Sequence, residues 1–156
     1  MMIMNSDENE EFAIRGESGD CIRIIFTEVY GFPNETCHWG GYDMRATVKI
    51  KAGDFDVLSN FFTSTGEIYN LYQQLERCNT QLEGVLKFAS YEGNLEFTIN
   101  YGQGGHIDLV GKYIPNNQCD NELRFSIVTD QSYMSETITE LSSLFIKYGD
   151  NSGVKN

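Results

Sequence analysis

Residues 123–147 read Leu-Arg-Phe-Ser-Ile-Val-Thr-Asp-Gln-Ser-Tyr-Met-Ser-Glu-Thr-Ile-Thr-Glu-Leu-Ser-Ser-Leu-Phe-Ile-Lys. The fold class turns on how the period changes within this stretch. Leu123, Phe125 and Ile127 alternate with Arg124 and Ser126, the period of two that marks a half-buried strand. After Asp130 the apolar residues Met134, Ile138, Leu141, Leu144, Phe145 and Tyr148 recur at steps of three and four, one stripe of a helix. Asp130 stands where a carboxylate caps the first N–H groups and complements the positive end of the helix dipole. Lys147 and Gly149 suit the other end. A strand that runs straight into a helix with one apolar face predicts a helix folded back on a sheet.

Working outward, the same alternation recurs through the chain. Phe12–Arg15 and Cys21–Val29 read as a hairpin around the turn Glu17-Ser-Gly-Asp20. Residues 43–52 place Met44, Ala46, Val48, Ile50 and Ala52 on one face and Arg45, Thr47, Lys49 and Lys51 on the other. Gly53-Asp54 turns the chain into a strand over Phe55–Phe62. Ser64-Thr-Gly-Glu67 reads as a capping box, and Ile68, Leu71, Tyr72 and Leu75 as a helical stripe ending near Asn79. Three strands follow over 84–90, 94–100 and 105–114, joined by turns at Tyr91–Asn94 and Tyr101–Gly105. No internal repeat is visible. Strands grouped with strands predict an α+β fold, with about seven to eight strands in a meander-like antiparallel sheet and two amphipathic helices packed on it. The expected organisation is a disordered acidic tail over 1–11, one domain over 12–148, and a flexible tail over 149–156.

The 156 residues hold 23 acidic and 11 basic side chains, a formal net charge of −12. Phosphate backbones and anionic lipid attract Lys and Arg, so direct nucleic-acid and membrane binding are disfavoured. The surplus either favours a basic protein partner or serves solubility alone. Cys21, Cys37, Cys78 and Cys119 are dispersed, with no CxxC spacing. Even parity permits two disulfides, and scattered Cys with two His permits a zinc site that the spacing supports poorly. The N-terminus lacks the basic start and apolar core of a signal peptide, and no segment reaches the roughly 20 apolar residues of a membrane span. Free thiols in the cytoplasm are expected.

Few residues invite chemistry. Gly102-Gln-Gly-Gly105 lies between strands with no helix after it, so it is a hairpin turn and not a phosphate cradle. His106 and Asp108 share a strand face, but without a nucleophile or third ligand they read as a solvated polar face. Asp130-Gln131 is explained by the helix cap. Trp39, the one tryptophan, lies in the irregular stretch Tyr30–Gly41 and reads as an aromatic lid closing one end of the core, with His38 a loop residue beside it. No nucleophile elbow, zinc-protease or Walker motif occurs, so the sequence asks for no enzyme and no cofactor.

Several of these pieces together resemble a known family. They are Gly19-Asp-x-Ile-x-Ile, Tyr30-Gly-Phe-Pro33, Trp39, the hairpin on Val48-Lys-Ile50 and Gly53-Asp-Phe55, and Leu71 to Leu75. Leu82-Glu-Gly84, Gly93-Asn-Leu-Glu-Phe97, Gly105-His-Ile-Asp-Leu-Val-Gly111, Leu123-Arg-Phe125 and Asp130-Gln-Ser-Tyr133 complete the likeness over about residues 12–148. The chain resembles the WapI-type immunity proteins of bacterial polymorphic and contact-dependent toxin systems. The resemblance implies a small cytoplasmic antitoxin that binds the C-terminal domain of a cognate toxin, frequently a nuclease, and blocks it stoichiometrically. It transfers no catalytic residue. Exposed acids flanked by aromatics, Asp54, Asp56, Tyr91, Glu92, Glu96 and Asp108, are the candidate partner-binding residues. Two alternatives stay open: a small-molecule module or minor enzyme with a pocket near His106, Asp108 and Trp39, and a scaffold protein joined to an unknown partner. The sequence leaves oligomeric state and strand order undetermined.

Overall fold

The computed structural model describes residues 9–116 and 119–154. Strands β1 (Glu11–Arg15), β2 (Cys21–Val29), β3 (Asp43–Ala52) and β4 (Phe55–Ser64) run into helix α1 (Thr65–Gln81). Strands β5 (Gly84–Ala89), β6 (Leu95–Tyr101), β7 (His106–Tyr113) and β8 (Leu123–Asp130) run into helix α2 (Gln131–Tyr148). All pairings are antiparallel and sequential, so the expected α+β meander holds. α1 splits it into two four-stranded sheets, β1-β2-β3-β4 and β5-β6-β7-β8.

The sequence shows no repeat, yet the architecture does: four strands and a helix, twice. Both strand-to-helix junctions use the same device. Ser64 accepts the N–H of Glu67 at the start of α1, and Asp130 accepts that of Tyr133 at the start of α2. The buried stripes also correspond. Ile68, Leu71, Leu75, Cys78 and Asn79 in α1 match Met134, Thr137, Leu141, Leu144 and Phe145 in α2, position for position. The residue types differ, which hides the repeat; the burial pattern is what recurs. α1 runs past Asn79 to Gln81 because Leu82 takes the left-handed conformation and returns its N–H to Cys78.

Inner rows of both sheets build one core. In the first sheet Ile22 opposes Ile50 and Ile24 opposes Val48. In the second, Leu86, Ile99, Leu109 and Ile127 form a continuous cross-strand row. Each helix lies along the edge strand of the other half: α1 along β5, α2 along β1. On β1 the outward backbone groups of Ala13 are both satisfied by α2. Its N–H donates to Glu140 at 3.0 Å, and its carbonyl accepts from Thr137 at 2.6 Å. Glu140 is held in turn by Arg15 at 2.6 Å. On β5 the carbonyl of Lys87 accepts from Gln74 of α1 at 3.3 Å. The helices lie antiparallel: Asn79 of α1 donates to Ser135 of α2, while at the other end Tyr69 and Tyr72 pack on Phe145.

Of the acidic tail expected over residues 1–11, residues 1–8 lie outside the described residues. Glu10 bonds Lys147 and the Tyr148 hydroxyl, and Glu11 opens β1 and pairs with Arg23. Residues 149–154 double back on the domain: the N–H of Gly41 donates to the Asn151 carbonyl, and that of Val154 to the Tyr42 hydroxyl.

Because the Thr137 hydroxyl is buried and serves the Ala13 carbonyl, Thr137→Val keeps the shape and removes the shorter of two donors, leaving Arg15 at 3.1 Å. The variant should lose about 0.5–1.5 kcal/mol of unfolding free energy in urea titration, with an unchanged m-value. An undiminished midpoint would mean that the edge of β1 does not need this cap.

Candidate functional site

The two halves differ most in one connection. Between β6 and β7 the chain turns through Gly102–Gly105, with Gly104 and Gly105 at positive φ, as a hairpin turn requires. The corresponding connection between β2 and β3 spans residues 30–42 and carries Trp39. Buried aromatics root this loop. Tyr42 is fully buried, and Phe32 packs edge-on against both Tyr42 and Tyr148 at 5.2 and 5.0 Å between ring centroids. Backbone contact fixes its far side. Gly40 accepts the N–H of Gly66 in the first turn of α1, and a Cβ on Gly66 would stand 2.4 Å from the Gly40 backbone. The loop can sit this close to the helix only because Gly66 has no Cβ, and Gly40 supplies the positive φ of the approach.

This rooting leaves Trp39 outside. It is 48 % exposed and lies flat on Tyr91, with planes 2° apart and centroids 5.0 Å apart. His38 stands against Trp39 at 79°. Trp39 is therefore not the lid over the core that the sequence suggested; Tyr42 and Phe32 fill that end, and Trp39 is displayed on the surface. Tyr91 belongs to the β5–β6 turn and donates its hydroxyl proton to Asp43 at 2.7 Å, joining the second sheet to the first. Burial, then the hydrogen bond to Asp43 and the charges of Asp43 and Glu92, push the Tyr91 phenol well above its ordinary range.

Against the Tyr91 backbone lies Glu67, the last residue of the capping box Ser64–Glu67. It accepts from Thr63 at 2.9 Å and from the backbone N–H groups of Tyr91 and Ser64. Burial outweighs these donors and, with the charge of Asp43, raises its carboxyl above the usual carboxylate range. Arg45, two residues from Asp43 on β3, is engaged by Glu28 at 3.1 Å.

The six candidate partner-binding residues do not form one patch. Tyr91, Glu92 and Glu96 gather at the Trp39 end, where Glu96 faces Lys112 at 3.4 Å. Asp108 lies on the outer face of β7 towards the opposite end, bonded to His106 at 3.0 Å. Asp54 and Asp56 occupy the β3–β4 hairpin, the far end of β3 from Asp43. Trp39, Asp43 and Glu67 complete the cluster, and sequence reasoning did not assign them to it. The pocket envisaged around His106, Asp108 and Trp39 is not assembled, because Trp39 and the other two sit at opposite ends of the second sheet. Among the described residues no group of three His, Cys, Asp or Glu side chains is placed to hold a metal. The outer sheet faces are mixed in charge, with Arg23, Arg45, Lys49 and Lys51 on the first. On the second, Lys87, Glu96, Val110, Lys112 and Arg124 line a shallow open groove of about 470 Å³.

The meander-helix domain presents an aromatic and acidic display at one end, which has the character of a binding surface. Comparison with protein families makes this specific: the model described as the Immunity protein WapI-like family matches residues 13–149, and the chain belongs to that family. No curated protein and no solved structure matches it. Membership supports an immunity role, and with it the binding of a cognate toxin protein. Among the described residues no helix is long and apolar enough to cross a membrane.

Since Glu67 titrates higher in the folded chain than its ordinary 4.5, the folded state holds the proton more tightly. The carboxylate therefore opposes folding at neutral pH, and this opposition fades as pH falls through the folded value. The stability of wild type relative to Glu67→Gln should shift in favour of wild type between pH 7 and pH 5, as read by denaturant titration. A shift the other way would show that the donors outweigh burial.

Proposed function

We propose that the chain is a stoichiometric immunity protein that occupies the active cleft of a toxin domain, and that this toxin is a nuclease working in the cytoplasm of the cell that makes both. Membership of the WapI-like immunity family is the observation that carries the reading. Charge supports the finer part. A nuclease cleft must be basic to hold phosphate, and a chain of net charge −12 is drawn into such a cleft faster than a neutral one. Cys21, Cys37 and Cys78 are free thiols, which suits a reducing compartment. Inhibition by occupation asks nothing catalytic of the chain.

The contact surface is proposed at the Trp39 end, with Tyr91, Glu92 and Glu96 inside it. Asp54, Asp56 and Asp108 contribute to the field that steers encounter. Loops rooted on a rigid scaffold are where recognition is usually placed, and Trp and Tyr are the common anchors of protein interfaces.

The test is co-expression with the toxin domain encoded beside this gene, with survival of the host and nuclease activity of the purified toxin as readouts. Growth restored only with the chain present, and nucleic-acid cleavage abolished at one-to-one mixing, is the expected result. A toxin that is restrained yet cleaves no nucleic acid would retain the immunity role and remove the nuclease. Within a working pair, Glu92→Lys with Glu96→Lys should slow association by about tenfold at low salt, an effect fading at high salt. Unchanged kinetics at low salt would clear both residues of a steering role.

A further inference from the structure

We infer that the Trp39–Tyr91 platform receives the guanidinium of an arginine presented by the partner protein. This rests on the immunity reading for the partner's identity, but the geometry argues for the ligand group by itself. Trp39 and Tyr91 lie parallel at 5.0 Å and His38 stands across Trp39 at 4.9 Å, so three rings meet at a surface that leaves the indole 48 % exposed. Such an exposure of the one tryptophan is not a packing requirement, because Tyr42 and Phe32 already close the core beneath it. An aromatic face attracts cations through its quadrupole, Trp most strongly, and a flat guanidinium stacks where a compact ammonium cannot.

The surrounding charge has the matching sign. Asp43 bonds the Tyr91 hydroxyl, and the charges of Asp43 and Glu92 both act on that phenol. Arg45, the cation on the neighbouring row of β3, is taken by Glu28. A guanidinium on the indole would thus find carboxylate acceptors whose existing partners at Asp43, the Tyr91 hydroxyl and the Met44 N–H, share one oxygen, Oδ1. Two other exposed surfaces do not offer this. The groove on the second sheet sets Glu96 against Lys112, and Arg124 bonds Glu122. The hairpin bearing Asp54 and Asp56 brings Phe55 to the surface, but no stacked ring pair includes it.

Because the chain has a single tryptophan, its emission reports on the platform directly. The probes are hexa-arginine, hexa-lysine and hexa-glutamate titrated into the full chain at low ionic strength. Hexa-arginine should change Trp39 emission saturably, hexa-lysine about tenfold more weakly, and hexa-glutamate not at all. Tyr91→Ala and Glu92→Gln, both at a surface turn, should each weaken hexa-arginine binding by several-fold to about tenfold. Equal response to arginine and lysine, or affinity untouched by Tyr91→Ala, overturns the inference. In cells, Trp39→Ala should lose protection against the toxin domain, whereas Trp39→Phe keeps most of it. Full protection by a folded Trp39→Ala chain also overturns the inference and leaves the immunity reading standing. If the wild-type chain itself fails to protect, the immunity reading falls, and the peptide titration still decides whether the platform takes arginine.

Discussion

A strand at the edge of a sheet carries a row of backbone N–H and C=O groups that must find partners, and this fold answers that demand by exchange. The helix that follows the first four strands covers β5, and the helix that follows the second four covers β1. The bonds from Ala13 to Glu140 and from Thr137 to Ala13 are the sharpest expression of it, since side chains of α2 there complete a strand some 120 residues earlier. Neither half can close its own edge in this arrangement. The exchange makes one cooperative unit from two similar pieces, draws the helices into antiparallel contact, and forces the two inner sheet faces into one core.

Near-symmetry of this kind makes departures from it informative. The connection between β2 and β3 is long where its counterpart is a tight turn, and it is braced by α1, by the core aromatics and by the chain beyond α2. Ordering a loop of this length costs conformational entropy. That the loop is nevertheless pinned at the Gly40–Gly66 contact, while its largest side chain is left at the surface, points to presentation as its role. A loop serving only to connect the strands would need neither the length nor the tryptophan.

Local periodicity made most of the fold legible. The bounds of β2 and β3 follow directly from alternation, and both helix caps follow from one side chain each, Ser64 and Asp130. Division into two sheets was not legible, because sheet membership depends on pairing between strands and no single strand encodes it. The helical stripe alone did not locate the end of α1, since Leu82 has no Gly or Asn signature for the left-handed cap it forms. Trp39 was placed in the wrong environment because aromatic size argues for burial, while its actual neighbour, Tyr91, comes from a distant turn. Glu67 was legible as a capping residue, but its closeness to Asp43 and Tyr91 was not. The one available clue was the difference in length between residues 30–42 and 102–105, and it acquires meaning only after the repeat is seen.

Net charge is a poor guide to where an acidic protein makes contact, and the distribution here shows why. On the first sheet's face carboxylates and cations oppose each other across neighbouring strands, as Glu11 does Arg23 and Glu28 does Arg45, so their fields largely cancel beyond a few ångströms. At the Trp39 end Asp43 is bonded to a phenol and Glu67 is held by a hydroxyl and backbone N–H groups. Those donors satisfy the carboxylate oxygens without neutralising their charge. Hydrogen bonds to neutral donors thus hold negative charge in place while leaving it available to a cation from outside. The position of an interface on such a protein is then set less by how many acids it has than by which acids are held by neutral groups.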